Sequence, residues 1–197
     1  PKLMKSLVGK KMLIGTSGDY PPFSLVDPKT TTYQGLDIDA AERLQEFLDV
    51  SVNFVRFAWP KLVDDLLAGK FDIAMGGVSR SLARGHEVAH TRPYMTVGAS
   101  PLVRQGDQGK YPGFAAIDQP NVRIILNQGG SNDRYFTPRI KNATVLRHDK
   151  NDEIALKVRN DQADVWITDS VEAVFWAGKL PGLVAAHPTN VYTTQAK

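Results

Sequence analysis

Short apolar runs alternate with amphipathic stretches along this chain, and the alternation predicts two successive α/β units. Met12–Gly15 is apolar and runs into Thr16-Ser17-Gly18-Asp19, the pattern of a buried strand entering a turn. Tyr20-Pro21-Pro22-Phe23 is excluded from helix, because consecutive prolines force extended geometry. After Gly35-Leu36-Asp37, the residues Ile38, Ala41, Leu44, Phe47 and Leu48 fall at helical spacing with charged residues between them. Val52–Val55 alternates like a strand. Trp59-Pro60 opens a helix whose apolar stripe is Leu62, Val63, Leu66 and Leu67, and Gly69 ends it. Phe71–Met75 is the next strand and stops at Gly76-Gly77. Residues 12–78 therefore read β-α-β-α-β, the pattern of a parallel sheet covered by helices.

The second half repeats this style. Val122–Leu126 reads as a strand ending at Asn127-Gln128-Gly129-Gly130, followed by a helix from Ser131 or Asn132 that Pro138 interrupts. Ala143–Leu146 and Val165–Asp169 read as strands, and Asp152–Val158 and Ser170–Trp176 as helices. The expected fold class is α/β with two lobes: lobe 1 over residues 1–95, lobe 2 over 96–188, and a second crossover beginning at 189–197. The connecting stretches are Thr91–Val103 and the region near Ala185–Tyr192. Such a pair of lobes leaves a cleft, and in open α/β sheets ligands gather at the carboxyl ends of strands.

Composition narrows the function classes. A 42% hydrophobic content with 16 Gly and 12 Pro in 197 residues excludes disordered and collagen-like chains. Zero cysteines exclude disulfides, thiolate metal sites and a Cys nucleophile. Twenty-four basic against 21 acidic residues give a net charge of only +3, with no basic run of five or more, so a nucleic-acid partner is not expected. Small anionic ligands remain compatible with that charge. No apolar window is long enough for a transmembrane helix. The chain opens at Pro1, which fits an exported protein whose signal has been removed, and equally a trimmed cytosolic one.

Several positions can carry chemistry, each with a plainer alternative. Gly129-Gly130-Ser131-Asn132, between a strand and a helix, suits an anion cradle; it also suits a turn with Ser131 or Asn132 as N-cap. Ser79 and Arg84 follow a strand end, where an Arg can grip a carboxylate in a fork; a lone Arg also makes surface ion pairs. Glu172 follows Asp169 by three residues, among Val171, Ala173, Val174, Phe175 and Trp176. In such apolar company it can keep a proton and act as a general acid; as a first-turn helix residue it is also favoured as an anion by the dipole. Tyr20, Phe23 and Trp59 suit either a cleft wall for a planar ligand or ordinary core. His86 and His90 have i, i+4 spacing but no surrounding HExxH, so no metal site is expected.

Taken together, these segments resemble the type II periplasmic solute-binding fold in its amino-acid-binding branch. The resemblance rests on Gly18-Asp19-Tyr20-Pro21-Pro22-Phe23, Gly35-Leu36-Asp37-Ile38-Asp39, Phe71–Met75, Ser79–Arg84 and Arg92-Pro93-Tyr94, and covers nearly the whole chain. It implies that Arg84 binds a ligand carboxylate. Three stretches look closer to the cyclohexadienyl dehydratases, enzymes built on this scaffold: Ile117–Pro120, Asn127–Asn132 and Thr168–Ala173. Gln128 and Ser131 depart from that family's Asn-Pro-Gly-Gly-Thr-Asn stretch, while Asn127 and Asn132 are kept. The resemblance implies a lyase that converts prephenate or arogenate to phenylpyruvate or phenylalanine, with Glu172 as acid and no metal or organic cofactor. It places Arg84 on a carboxylate, Asn127, Ser131 and Asn132 on polar groups, and Tyr20 and Trp59 around the ring, with Ser79 and Asp169 also among the substrate-binding residues.

The alternative implied by the same resemblance is a non-catalytic amino-acid receptor of an ABC transporter. Arg84 would then take the carboxylate and Asp169 the ammonium, with the transporter's permease as partner. A periplasmic or secreted location is expected in either case. Proteins of this fold continue with a further strand and helix that return to lobe 1. A chain stopping at Lys197 is therefore expected to leave apolar surface on lobe 1 open and to favour association between copies.

Overall fold

In the computed structural model, which describes residues 9–197, the apolar run beginning at Met12 forms strand β1 (Lys11–Thr16). The short strands β2 (Asp19–Tyr20), β3 (Ser24–Val26) and β4 (Tyr33–Gln34) follow and pair antiparallel in that order. Helix α1 (Leu36–Leu48) leads to β5 (Ser51–Arg56). A 3-10 turn at Trp59–Lys61 opens α2 (Leu62–Leu67), followed by β6 (Ile73–Ala74) and α3 (Leu82–Gly85). Strands β5, β1 and β6 form a parallel sheet in that order, as the β-α-β-α-β pattern predicts. These elements make up the first of two units, Pro1–His90.

Two details differ from the apolar stripes read in the sequence. Phe47 and Leu67, placed on buried helix faces by their spacing, are 74% and 61% exposed. Each lies in the last turn of its helix, beyond the part that Ile38, Ala41 and Leu62 bury. The β2-β3-β4 sheet was not anticipated, because strands of two or three residues are too short to show a period.

The second unit, Thr91–Lys197, starts with β7 (Thr96–Val97) and β8 (Ala99–Arg104), then a 3-10 segment at Gln105–Lys110 and α4 (Phe114–Ile117). Next come β9 (Arg123–Asn127), α5 (Ser131–Phe136), β10 (Thr144–His148), α6 (Asn151–Arg159) and β11 (Val165–Asp169). The unit ends with α7 (Ser170–Lys179), β12 (Leu183–Ala185) and β13 (Gln195–Ala196). Its main sheet has the order β10-β9-β11-β8-β12, with β10, β9 and β11 parallel and β8 antiparallel to both its neighbours. β13 pairs antiparallel with β7. Gly98, between β7 and β8, lets the chain pass close by, since a Cβ there would collide with the Thr193 carbonyl and the Val191 side chain.

Strand β8 begins within the stretch Thr91–Val103 read from sequence as a connection and runs one residue beyond it. Pro101 hid it: a proline cannot donate to a ladder and argues against a central strand. Here the residue pairs in register with Ile167, and its carbonyl accepts from the Ala186 N–H at 2.9 Å.

Both faces of the main sheet are covered. Ala99, Val103, Ile124, Leu126, Val165 and Ile167 face one core, packed with Ile117 of α4 and Phe136 of α5. Leu102, Ile125 and Trp166 face the other, packed with Ile154 and Val158 of α6 and Ala173 and Trp176 of α7. Consecutive strand residues thus serve opposite cores, which explains why these strands read as continuous apolar runs.

An ionic cluster anchors the start of β11. Asp164 accepts from the Arg123 N–H at 2.8 Å, from its Nε and Nη2 at 2.9 and 2.8 Å, and from Arg104 Nη2 at 3.0 Å. The Arg123 hydrogen bonds hold the Asp164 carboxyl far below its usual range, against the opposing effect of burial. A depressed carboxyl stabilises the fold above its unfolded pKa and loses that contribution as pH falls. Asp164→Ala, which leaves two guanidinium groups short of their acceptor, is expected to cost about 3 kcal/mol in urea unfolding of the chain. The difference from wild type should shrink as pH drops below about 4.

Candidate functional site

In the first unit the sequence-predicted residues fall into two groups. Asp37, in the first turn of α1, accepts from the Gly77 N–H at 2.7 Å, so the helix start is tied to the turn after β6. Gly77 has a φ of 69°, and a Cβ there would lie 2.5 Å from the rings of both Phe23 and Tyr20. Tyr20 packs edge-on to Trp59 at 5.6 Å and lies 5.1 Å from Phe23; Trp59 meets Phe57 edge-on at 5.4 Å. The Trp59 indole N–H donates to Asp19 Oδ1 at 3.1 Å. Tyr20 and Trp59 are 5% and 6% exposed, so both are parts of a packed aromatic cluster.

Arg84 forms the second group. Its main-chain N–H is capped by the Ser81 hydroxyl at 3.2 Å, and its guanidinium donates to the Ser79 carbonyl at 2.8 Å. Ser79 and Arg84 are both 3% exposed. The surface ion pair weighed for Arg84 is therefore not its setting. His90 has a buried Nε2 without a hydrogen-bond partner among the described residues. Burial pushes its pKa below the usual value, and the charges of Arg80 and Arg84 add to the effect. Arg80 and Arg84 thus make a locally cationic stretch beside His90.

In the second unit, polar side chains collect at the end of β11, where the alternation along the strand sorts them. Thr168 shares the face of Trp166, and its hydroxyl donates to Glu172 Oε2 at 2.5 Å. The Asn151 amide, at the start of α6, donates to Glu172 Oε1 at 2.6 Å, and the Trp176 indole donates to the same oxygen at 3.4 Å. Glu172 is 1% exposed. Its expected apolar company is corrected in one respect: three polar donors gather on the carboxyl group. Glu172 and Trp176 lie four residues apart on one helix, a spacing the sequence displays; Thr168, in the strand before it, and Asn151 have no such signal. Ser100 pairs in register with Thr168, and its buried hydroxyl has no partner among the described residues.

Asp169 lies on the opposite side. Its Oδ1 accepts from Asn132 Nδ2 at 3.0 Å and Gln195 Nε2 at 2.9 Å, and its Oδ2 from Lys197 Nζ at 2.6 Å. Gln195 also donates to Asn132 Oδ1 at 2.9 Å. Lys197 and Gln195 were missed because nothing in the local sequence links them to a residue more than 25 positions earlier. Asn127 ends β9 with a buried Oδ1 that lacks a partner among the described residues. Gly130, and neither Ser131 nor Asn132, is the N-cap of α5, with no side-chain cap. At this turn, which suits either an anion cradle or a simple Gly-rich turn, the chain itself supplies an acceptor, because the Gly129 N–H donates to Asp133 Oδ2 at 3.0 Å. Asp133 is held below its usual pKa by Thr137, Gly129 and Arg147, against its burial.

A parallel sheet in the first unit, a mixed sheet in the second and polar groups at strand ends define a two-lobed α/β fold of the type II periplasmic binding class. The chain belongs to the bacterial extracellular solute-binding proteins, family 3, whose model matches residues 12–180. It is 34% identical over 191 residues to a cyclohexadienyl dehydratase of Pseudomonas aeruginosa, covering 97% of this chain and 71% of that protein. A crystal structure of an ancestral amino acid-binding protein, described as a precursor of cyclohexadienyl dehydratase, superposes with a TM-score of 0.86 at 30% identity. That match covers 99% of this chain and 82% of the other. Holo arginine-binding protein from T. maritima matches with a TM-score of 0.87 at 25% identity, over 100% of this chain and 84% of the other.

The aromatic cluster gives a direct test of the packing at Gly77. Gly77→Ala adds a methyl group against two buried rings at a positive φ. It is expected to lower stability by about 2–4 kcal/mol in chemical denaturation. An unchanged melting temperature would contradict the close packing of Tyr20 and Phe23 on that turn.

Proposed function

We propose that this chain is a cyclohexadienyl dehydratase-type lyase that dehydrates and decarboxylates prephenate or arogenate. The observation that carries the reading is Glu172, a buried carboxyl group in the first turn of α7, oriented by Thr168, Asn151 and Trp176. The similarity to the Pseudomonas aeruginosa enzyme supports it.

The chemistry needs one well-placed acid. Glu172 gives its proton to the ring hydroxyl, so the C–O bond breaks with loss of water. The C–C bond to the ring carboxylate breaks in turn, carbon dioxide leaves, and the electron pair completes the aromatic ring. One proton is consumed, and Glu172 regains it from solvent. Aromatisation supplies the driving force, and no electron acceptor enters the balance. Fixed donors on the acid keep it in one rotamer, which favours proton transfer along one line.

In this reading Arg84 and Ser79 serve a substrate carboxylate, and the cationic stretch with Arg80 favours a dianionic substrate. Tyr20 and Trp59 act through the shape of their cluster. Asn127, Ser131 and Asn132 orient polar groups of the substrate, and Asp169 acts through the groups bonded to it. A periplasmic or secreted location forms part of the same proposal.

A second reading, a receptor for a cationic amino acid, is supported by the likeness to the T. maritima arginine-binding protein. Phenylpyruvate release from prephenate, followed by absorbance, separates the two. Glu172→Gln keeps the shape of the side chain and is expected to lower kcat about 10²–10⁴-fold with the fold intact by circular dichroism. Equal turnover by this variant would remove Glu172 from the acid role. Tight arginine binding without turnover by the wild type would favour the receptor.

A further inference from the structure

We propose that Lys197 determines specificity at this site by neutralising Asp169, so that the site takes a 2-oxo acid in preference to a 2-amino acid. The inference deepens the lyase reading and rests on it for one point, that Asn132 and the other groups bonded to Asp169 face the substrate.

The two side chains are 2% and 4% exposed, with Nζ 2.6 Å from Oδ2. A pair so deeply buried does little for stability, because taking both charges out of water offsets their attraction. Its place is not accidental, since main-chain bonds fix Lys197 on both sides. Its N–H donates to the Met95 carbonyl at 2.9 Å, and its carbonyl accepts from the Tyr94 N–H at 2.8 Å. The β7–β13 ladder lies directly before it. On the carboxylate side, Asn132 and Gln195 fill Oδ1 while Lys197 takes Oδ2.

The consequence for a ligand follows from charge. Asp169 and Lys197 together carry no net charge. A ligand ammonium reaching this carboxylate would have to displace Lys197 or approach its cation closely, and like charges brought together out of water repel strongly. A ketone meets neither obstacle. It is a neutral acceptor, and Lys197 and Asn132 both carry N–H groups able to donate to its oxygen. Of the two substrates of the proposed reaction, the one with a 2-oxo side chain therefore fits the charge state of the site.

Calorimetry with phenylpyruvate and phenylalanine tests this without needing turnover. Wild type is expected to bind phenylpyruvate at least about tenfold more tightly. Lys197→Gln unmasks the Asp169 charge and should bring the two ligands to parity or reverse their order. Lys197→Arg, which keeps the charge, should preserve the preference. Equal or tighter binding of phenylalanine or arginine by the wild type overturns the inference, whatever happens to the variants. Binding of neither ligand overturns it as well, and so does an unchanged preference in a folded Lys197→Gln protein. The lyase reading fails separately: a 2-oxo preference with no turnover of prephenate removes the enzyme and leaves the selectivity. Turnover of prephenate and arogenate with equal kcat/KM removes the selectivity and leaves the enzyme.

Discussion

The alternation of side chains along β11 is the constraint on which the second unit depends. A strand sends successive residues to opposite faces, so Thr168 and Asp169 cannot serve the same partners. Thr168 turns towards Glu172 beside the core of α6 and α7, and Asp169 turns towards Asn132 of α5. Two carboxyl groups three residues apart in sequence thereby acquire separate surroundings. Glu172 is met by the neutral donors Thr168, Asn151 and Trp176, while Asp169 is met by an ammonium as well as by amides. A one-residue shift in the register of β11 would exchange these environments, which ties the chemistry to the same ladder that orders the sheet.

The first unit relies on a different device. Its polar anchors reach across long stretches of sequence to hold turns: Asp37 on Gly77, Asp19 on the Trp59 indole. The aromatic rings fill the space that a side chain at Gly77 would need. Arg84 is fixed in the same way, by a hydroxyl cap on its main chain and a carbonyl on its guanidinium. A buried, preoriented guanidinium loses little freedom when it meets an anion, which is the general condition for strong carboxylate recognition.

Much of this architecture is legible in the sequence because the strands and helices differ sharply in period. The β-α-β-α-β order of the first unit, strands β9 and β11, and helices α6 and α7 all follow from apolar spacing and from glycine at the turns. What escaped had specific causes. Strand β8 carries Pro101 within a ladder, and β2, β3 and β4 are too short for any period to register. Thr168 belongs to the strand that precedes the helix, whereas the Glu172 position was readable, and so was Trp176 by helical spacing. Asn151, Gln195 and Lys197 were not, because only the topology of the sheet and the β7–β13 pairing bring them to the end of β11. Apolar neighbours in sequence suggested a dry setting for Glu172, but helix geometry turns some of them away: Val174 is 51% exposed, while the Trp176 indole points its N–H at the carboxyl group.

The Asp164 cluster, described above as an anchor, also divides labour along a single strand. Asp164 immediately precedes β11 and Asp169 ends it, so strand geometry sets the two about 16 Å apart. Ionic groups that secure the sheet stand at one end, and the groups proposed to act on a substrate stand at the other. Trade-offs between robustness and activity arise when the same residues must serve both. Here the two demands fall on different side chains, which leaves the polar end of β11 open to evolutionary change of ligand while the far end keeps the sheet together.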